Sequence, residues 1–74
     1  MAFVILVGGK PWAAIEVKLS EQSLDPSLSY FLERTKIPFA FQIHLKGSRD
    51  IRVSSINGCQ VRILPATKYL AQLP

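Results

Sequence analysis

Two ionisable side chains of opposite charge stand two positions apart in the stretch Ile15-Glu16-Val17-Lys18. The β-branched residues around them predict a strand, and side chains alternate across a strand, so Glu16 and Lys18 share one face about 7 Å apart. A carboxylate and an amine held in this way can bind a hard metal ion and orient a water molecule beside it. A solvated ion pair on an exposed strand face explains the same spacing without any catalytic role.

A second strand predicted over Phe39–Leu45 carries Gln42 and His44 on one face. A helix predicted over about 26–35 separates it from the first strand, Trp12–Lys18, and a strand–helix–strand unit normally makes two parallel neighbours. The two polar pairs are therefore expected on the same face of one sheet. For His44, an ordinary half-exposed histidine is a simpler interpretation than a metal ligand or a catalytic base.

The remaining elements complete one domain over residues 1–74. Gly8-Gly9 predicts a tight antiparallel hairpin at the start of the chain, and Asp25-Pro26 predicts the capped beginning of a helix. The fold class predicted is α/β: a small mixed sheet, made of an antiparallel hairpin and a parallel βαβ unit, with two helices. The predicted strands are Phe3–Val7, Trp12–Lys18, Phe39–Leu45 and Val61–Leu64, and the predicted helices span about 26–35 and 66–73.

Asn57-Gly58 predicts a second hairpin, but its alternation is imperfect. A two-residue turn there places Arg52, Ser54 and Ile56 on the face of Val61, so either a bulge intervenes or the first half of the hairpin is irregular. The predicted core consists of apolar residues from the strands and both helices. They are Val4, Leu6, Ile15, Val17, Leu28, Phe31, Leu32, Phe41, Ile43 and Leu70.

Composition limits the classes of function. The single cysteine, Cys59, excludes an internal disulfide and a thiolate metal cluster, and Gly8-Gly9-Lys10 leads into a strand and so is not a phosphate-binding loop. With 49% hydrophobic residues in only 74, part of the apolar surface is expected to be covered by a second copy or by a missing neighbouring domain, and a homo-oligomer is predicted. The longest apolar run, Ala2–Val7, is too short to cross a membrane, so no membrane partner and a cytoplasmic location are predicted. A net charge of +4 permits contact with nucleic acid.

In this order, the features resemble the core of the PD-(D/E)xK nuclease superfamily. The chain is still more similar to the C-terminal, nuclease-like domain of a family of bacterial and archaeal AAA+ ATPases of uncharacterised function. The resemblance covers nearly the whole chain. It is carried by Ala14–Ser20, Leu28, Tyr30-Phe31, Ile37-Pro38, Phe41-Gln42-Ile43, Leu64-Pro65-Ala66 and Leu70–Leu73.

In active members of that superfamily an acidic residue on the preceding strand joins the Glu and the Lys, and the two carboxylates bind Mg²⁺. The resemblance implies that Glu16 is the metal ligand and that Lys18 positions the attacking water. The place of the first acid falls at about Ala2, and the chain has no Asp or Glu before Glu16. The resemblance therefore implies a truncated, restriction-endonuclease-like core without the ATPase part and the first catalytic acid, in which Glu16 and Lys18 are vestigial.

Three hypotheses for function follow. The first is a non-catalytic nuclease-like remnant that acts as an interaction or structural module, needs no cofactor and self-associates. The second is a Mg²⁺-dependent DNA or RNA nuclease whose site is completed across a dimer, with a second carboxylate from Glu21, Asp50 or the partner. The third is a nucleic-acid-binding module that uses Lys18, Lys46 and Arg49. The first predicts that Glu16 and Lys18 are neighbours, at least partly accessible, without a complete metal site.

Overall fold

A computed structural model of the chain describes the backbone of residues 2–71 and the side chains of residues 2–68. In chain order the elements are β1 (Ala2–Val7), β2 (Lys10–Lys18), α1 (Pro26–Arg34), β3 (Phe39–His44), β4 (Ile51–Ile56), β5 (Cys59–Pro65) and α2 (Ala66–Ala71). Every predicted strand and helix is present, with ends shifted by one or two residues. Positions 72 and 73 of the second predicted helix lie outside the described residues.

The five strands form one sheet in the order β1-β2-β3-β5-β4. The hairpins β1–β2 and β4–β5 are antiparallel, whereas β2–β3 and β3–β5 are parallel. α1 joins the parallel strands β2 and β3 and is therefore the crossover helix. This arrangement confirms the predicted mixed α/β class, and it leaves β1 and β4 at the two edges of the sheet.

A bulge in the first hairpin changes the direction of Trp12. The pairing of β1 with β2 slips by one residue between Ile5 and Leu6, which makes Trp12 the extra residue on β2. Its ring packs against Phe39, with centroids 5.5 Å apart and planes inclined at 59°. Strict alternation along β2 would place Trp12 on the face of Ala14, but the bulge interrupts the alternation and the ring lies on the opposite face.

A second bulge resolves the mismatch in the other hairpin. Asn57-Gly58 forms the turn with positive φ at both residues, 51° and 79°. Ile56 pairs with Cys59 and Val53 with Val61, so one extra residue is left between these pairs on β4. The bulge places Val53 and Ile56 against the same apolar cluster. The segment before the turn, Ile51–Ile56, is therefore a strand that contains a bulge.

α1 begins where the sequence predicts it, at Pro26 after the cap residue Asp25, and it ends at Arg34. Leu28 and Leu32 are one helical turn apart, and both are buried against the sheet.

Apolar residues fill both faces of the sheet. The cluster under α1 contains Ala14, Leu28, Leu32, Ile37, Ala40, Cys59 and Val61, with Leu24, Val53 and Ile56 partly buried around it. The cluster on the opposite face contains Ala13, Ile15, Ile43 and Leu64, with Ile5, Trp12, Val17, Phe39, Phe41 and Ala66 partly buried around it.

The predicted core is confirmed in its centre and wrong at its margin. Four of its residues are buried (Ile15, Leu28, Leu32 and Ile43), and two are partly buried (Val17 and Phe41). Three are exposed: Val4 at 41%, Leu6 at 59% and Phe31 at 38%. Val4 and Leu6 belong to the edge strand, which has a neighbour on one side, and Phe31 lies on the flank of α1. The side chain of Leu70 lies outside the described residues.

Candidate functional site

Four polar side chains meet on the face of the sheet that α1 covers. In the parallel register of β2 and β3, Glu16 is opposite Gln42 and Lys18 is opposite His44. This confirms that the two polar pairs are neighbours on one face. Gln42 and His44 are both 1% exposed, and Glu16 is 8% exposed, so the carboxylate is more buried than the partial accessibility predicted for it. The prediction of a half-exposed His44 is wrong, because β3 is an internal strand and Glu21, from the loop after β2, lies against the ring.

Lys18 lies between two carboxylates. Its amine donates a hydrogen bond to Oδ2 of Asp25 and lies 3.9 Å from Oε2 of Glu16. The hydrogen bond with Asp25 is the main cause that raises the pKa of Lys18, and the same bond lowers the pKa of Asp25. Both groups of this pair are therefore held in their charged forms around neutral pH.

Asp25 uses both of its carboxylate oxygens in contacts within the fold. Oδ2 accepts from Lys18, and Oδ1 accepts from the backbone N–H groups of Ser27 at 2.7 Å and Leu28 at 3.4 Å. These are two of the N–H groups that the first turn of α1 leaves without helical partners. The helix cap and the ion pair on the strand are thus one connected structure.

Gln42 links the same cap to the loop before it. Its side-chain oxygen accepts from the backbone N–H of Asp25 at 2.7 Å, and its amide nitrogen donates to the carbonyls of Ser23 at 3.0 Å and Gln22 at 3.4 Å. Sequence reasoning recognised Asp25 as a helix cap but missed its contacts with Lys18 and Gln42. No local signal predicts them, since the partners are seven and seventeen residues away.

A second polar contact anchors the loop that follows β3. Oε1 of Glu21 lies 3.8 Å from Nε2 of His44 and accepts from the backbone N–H groups of Ser48 at 2.6 Å and Arg49 at 2.8 Å. The bond from Arg49 is the main cause of the lowered pKa of Glu21. Gly47 has φ of 111°, and a Cβ there would lie 2.3 Å from Cγ of Glu21, so this approach requires glycine.

The predicted nucleic-acid contacts lie near one end of the sheet. Lys46 and Arg49 are exposed in the loop after β3, and Lys18 is the last residue of the neighbouring strand β2. The backbone N–H of Lys46 donates to the carbonyl of Leu19, the residue after β2, at 2.8 Å. This bond holds the start of the loop beside the end of β2. The Lys18 amine is committed to Asp25, so the two loop residues are the more available pair.

The donor set around Glu16 does not fit Mg²⁺. The residue opposite Glu16 on β1 is Ala2, at the position where the resemblance places the first catalytic acid. β1 therefore provides no carboxylate there. Asp25 is the other carboxylate that contacts Lys18, and both of its oxygens are already bonded. Within residues 2–68, no group of three or more His, Cys, Asp or Glu side chains is arranged to hold a metal ion. Mg²⁺ needs several oxygen ligands in near-octahedral geometry.

The two carboxylates proposed to complete a nuclease site have other contacts in this chain. Glu21 is bonded to the loop after β3. Asp50 accepts from Arg62 at 2.6 Å, and Lys68 lies 3.5 Å away. Arg62 is opposite Phe41, on the face of the sheet away from Glu16. The hydrogen bond from Arg62 is the main cause of the lowered pKa of Asp50.

Comparisons of the chain with family models, curated proteins and solved structures find no match. In the part of the chain that the structure describes, no helix is both long enough and apolar enough to cross a membrane. A function therefore has to be inferred from the contacts and surfaces of the fold itself.

Proposed function

We propose that this chain is a non-catalytic remnant of a nuclease-like fold that acts as an interaction module, and that its first partner is a second copy of itself. The polar cluster supports the non-catalytic part. Lys18, Asp25 and Gln42 are engaged in capping α1 and in holding the preceding loop. Because these side chains are bonded within the fold, they are not free to bind a substrate or a metal ion during a reaction.

The exposed apolar edge of β1 is the observation that carries the interaction. β1 pairs with β2 on one side only, and within the described residues no strand pairs with its other side. Its sequence, Ala2–Val7, contains no charge and no proline, the features that usually protect an edge from pairing with another chain. Phe3, Leu6 and Val7 are 46%, 59% and 60% exposed.

A second copy is the occupant that matches this edge. Two β1 strands related by a twofold axis pair antiparallel, so each supplies the N–H and C=O groups that the other lacks. Because both edges are uncharged, their pairing brings no like charges together. The contact joins two five-stranded sheets into one continuous sheet and removes apolar side chains of both copies from water.

Replacing Leu6 with lysine should convert the self-associated protein into a monomer. The substitution adds a positive charge to each of two facing edges, a natural device against strand pairing. Light scattering at tens of micromolar should report the mass of two 8.3 kDa chains for the parent and of one chain for Leu6→Lys. Leu45→Lys is the matched control, since Leu45 is 60% exposed but follows the internal strand β3. A parent that is monomeric at this concentration would contradict the proposal.

Glu16→Ala tests the nuclease alternative. The parent protein should cleave neither single-stranded nor double-stranded DNA or RNA in Mg²⁺ or Mn²⁺, because both oxygens of Asp25 are bonded within the fold and Glu16 alone gives a divalent cation too few oxygen ligands. The variant should keep the circular dichroism spectrum and any nucleic-acid binding of the parent. Glu33→Ala, which removes an exposed carboxylate on α1, is the control. Metal-dependent cleavage that is lost in Glu16→Ala alone would establish a nuclease.

A further inference from the structure

A cleft on the face of the sheet away from Glu16 combines aromatic rings with arginines. It has a volume of about 400 Å³ and is lined by Phe39 and Phe41 of β3, Arg52 of β4, and Gln60 and Arg62 of β5. We call it the arginine–aromatic cleft. Its arginines and aromatic rings take no part in the polar cluster around Lys18, and it lies toward the edge of the sheet opposite to β1.

The aromatic side of the cleft is a strip of rings. Phe39 and Phe41 are alternate residues of one strand, so their side chains project from the same face about 7 Å apart. Both are partly exposed, and Trp12 extends the strip beside Phe39, with centroids 5.5 Å apart. Sheet modules that bind single-stranded nucleic acid present rings in this manner, because every base has a flat face that stacks on them.

The other side of the cleft is positively charged. Arg52 and Arg62 are directly opposite each other across the antiparallel pair β4–β5. Like charges in such a position repel, so an anion between them is favourable. Asp50 neutralises part of this charge by bonding to Arg62, and Lys68 lies 3.5 Å from the same carboxylate. Three cations and one carboxylate leave a local charge of +2.

We propose that the arginine–aromatic cleft binds single-stranded nucleic acid, with bases stacked on Phe39 and Phe41 and the phosphate backbone held by Arg52, while Arg62, bonded to Asp50, adds positive charge beside it. The combination of aromatic rings and arginines favours a single strand over a duplex. The bases of a duplex are stacked on each other, so no base face is free to stack on Phe39 or Phe41. An acidic peptide could satisfy the arginines, but it would leave the aromatic strip unused. The binding site is therefore different from the Lys18, Lys46 and Arg49 surface expected from the sequence.

The test is a titration of the full chain with fluorescein-labelled oligo(dT) and oligo(U) twelve-mers at low salt, followed by anisotropy. Trp12 is the only tryptophan of the chain, and it lies against Phe39, so stacking should also quench its fluorescence. Phe39→Leu keeps an apolar side chain but removes the ring, and it should weaken binding about tenfold. Circular dichroism establishes that each variant is folded.

Three arginine substitutions with the same change of charge locate the site. Arg52→Gln should weaken binding about fivefold to tenfold and reduce its dependence on salt by about one phosphate contact. Arg34→Gln, on α1, and Arg49→Gln, in the loop after β3, should change binding less than twofold.

Four results would overturn the proposal. They are the absence of binding at about 100 μM protein, an equal loss in Arg49→Gln and Arg52→Gln, equal competition by duplex DNA, and equal competition by poly-glutamate. The second would show that the contact is not confined to the cleft and extends equally to the loop after β3. The third and fourth would show a general attraction for anions in place of base stacking. Since the cleft and β1 lie toward opposite edges of the sheet, Leu6→Lys should leave this binding intact, which separates this test from that of self-association.

Discussion

Gln42→Leu should reduce the free energy of unfolding by about 2–5 kcal/mol. The leucine fills a similar volume but leaves the N–H of Asp25 and the carbonyls of Ser23 and Gln22 without their partner. Gln42 is 1% exposed, so water cannot readily replace the lost bonds at this position. A fully buried polar group deprived of its partner costs about 1–3 kcal/mol. The three groups here belong to exposed or half-buried residues, so each is expected near or below the lower end of that range, except the N–H of Asp25, which loses the shortest bond.

Urea denaturation followed by the fluorescence of Trp12 measures this loss. Gln22→Leu is the matched control, because it makes the same change at an exposed residue of the same loop, and its effect should stay within about 0.5 kcal/mol. A Gln42→Leu variant as stable as this control would mean that the network contributes little to the fold. The structural role proposed for the polar cluster would then lose its main support.

The expected result for Gln42 bears on how the Glu16–Lys18 pair should be interpreted. A carboxylate and a lysine two residues apart on a strand suit metal-assisted hydrolysis, and they also suit an ion pair. The decisive difference is the third group, Asp25. It binds Lys18 and caps α1 at once, so the charges on β2 are used to fix the start of the crossover helix.

Local sequence predicted the elements and their neighbours well. Glu16 and Lys18 on a β-branched strand, the Asp25-Pro26 helix start and the apolar stripe of α1 are all short-range signals. The rule that a strand–helix–strand unit is parallel then placed Gln42 and His44 beside the first pair, as the register shows.

What could not be predicted depends on single-residue shifts and on sheet position. The bulge at Trp12 turns one ring to the opposite face, and although Pro11 beside it is a residue type found at bulges, it does not determine which residue is the extra one. Val4 and Leu6 are as apolar as any core residue, but they lie on an edge strand and are exposed. The sequence predicts Phe41 in the core and gives no sign of the aromatic strip, because the partners of Phe39 and Phe41 on β5, Gln60 and Arg62, depend on the register of the sheet.

Leu32→Ala and Phe31→Ala should have very different effects, although the two residues are adjacent in α1. Leu32 is fully buried in the cluster between α1 and the sheet, so its truncation leaves a cavity and should cost about 2–5 kcal/mol. Phe31 is 38% exposed and lines an open groove beside β1 and β2. Its truncation removes much less buried contact and should cost about 1 kcal/mol.

Urea denaturation at several protein concentrations measures both losses and separates them from any change in self-association. A domain of this size has a total stability of roughly 4–11 kcal/mol, so Leu32→Ala is expected to be barely folded. Leu32→Val removes one methylene, should cost about 1 kcal/mol and keeps the comparison measurable if the alanine variant does not fold. Equal losses in Phe31→Ala and Leu32→Ala would contradict the placement of α1, because they would require both side chains to be buried to the same extent.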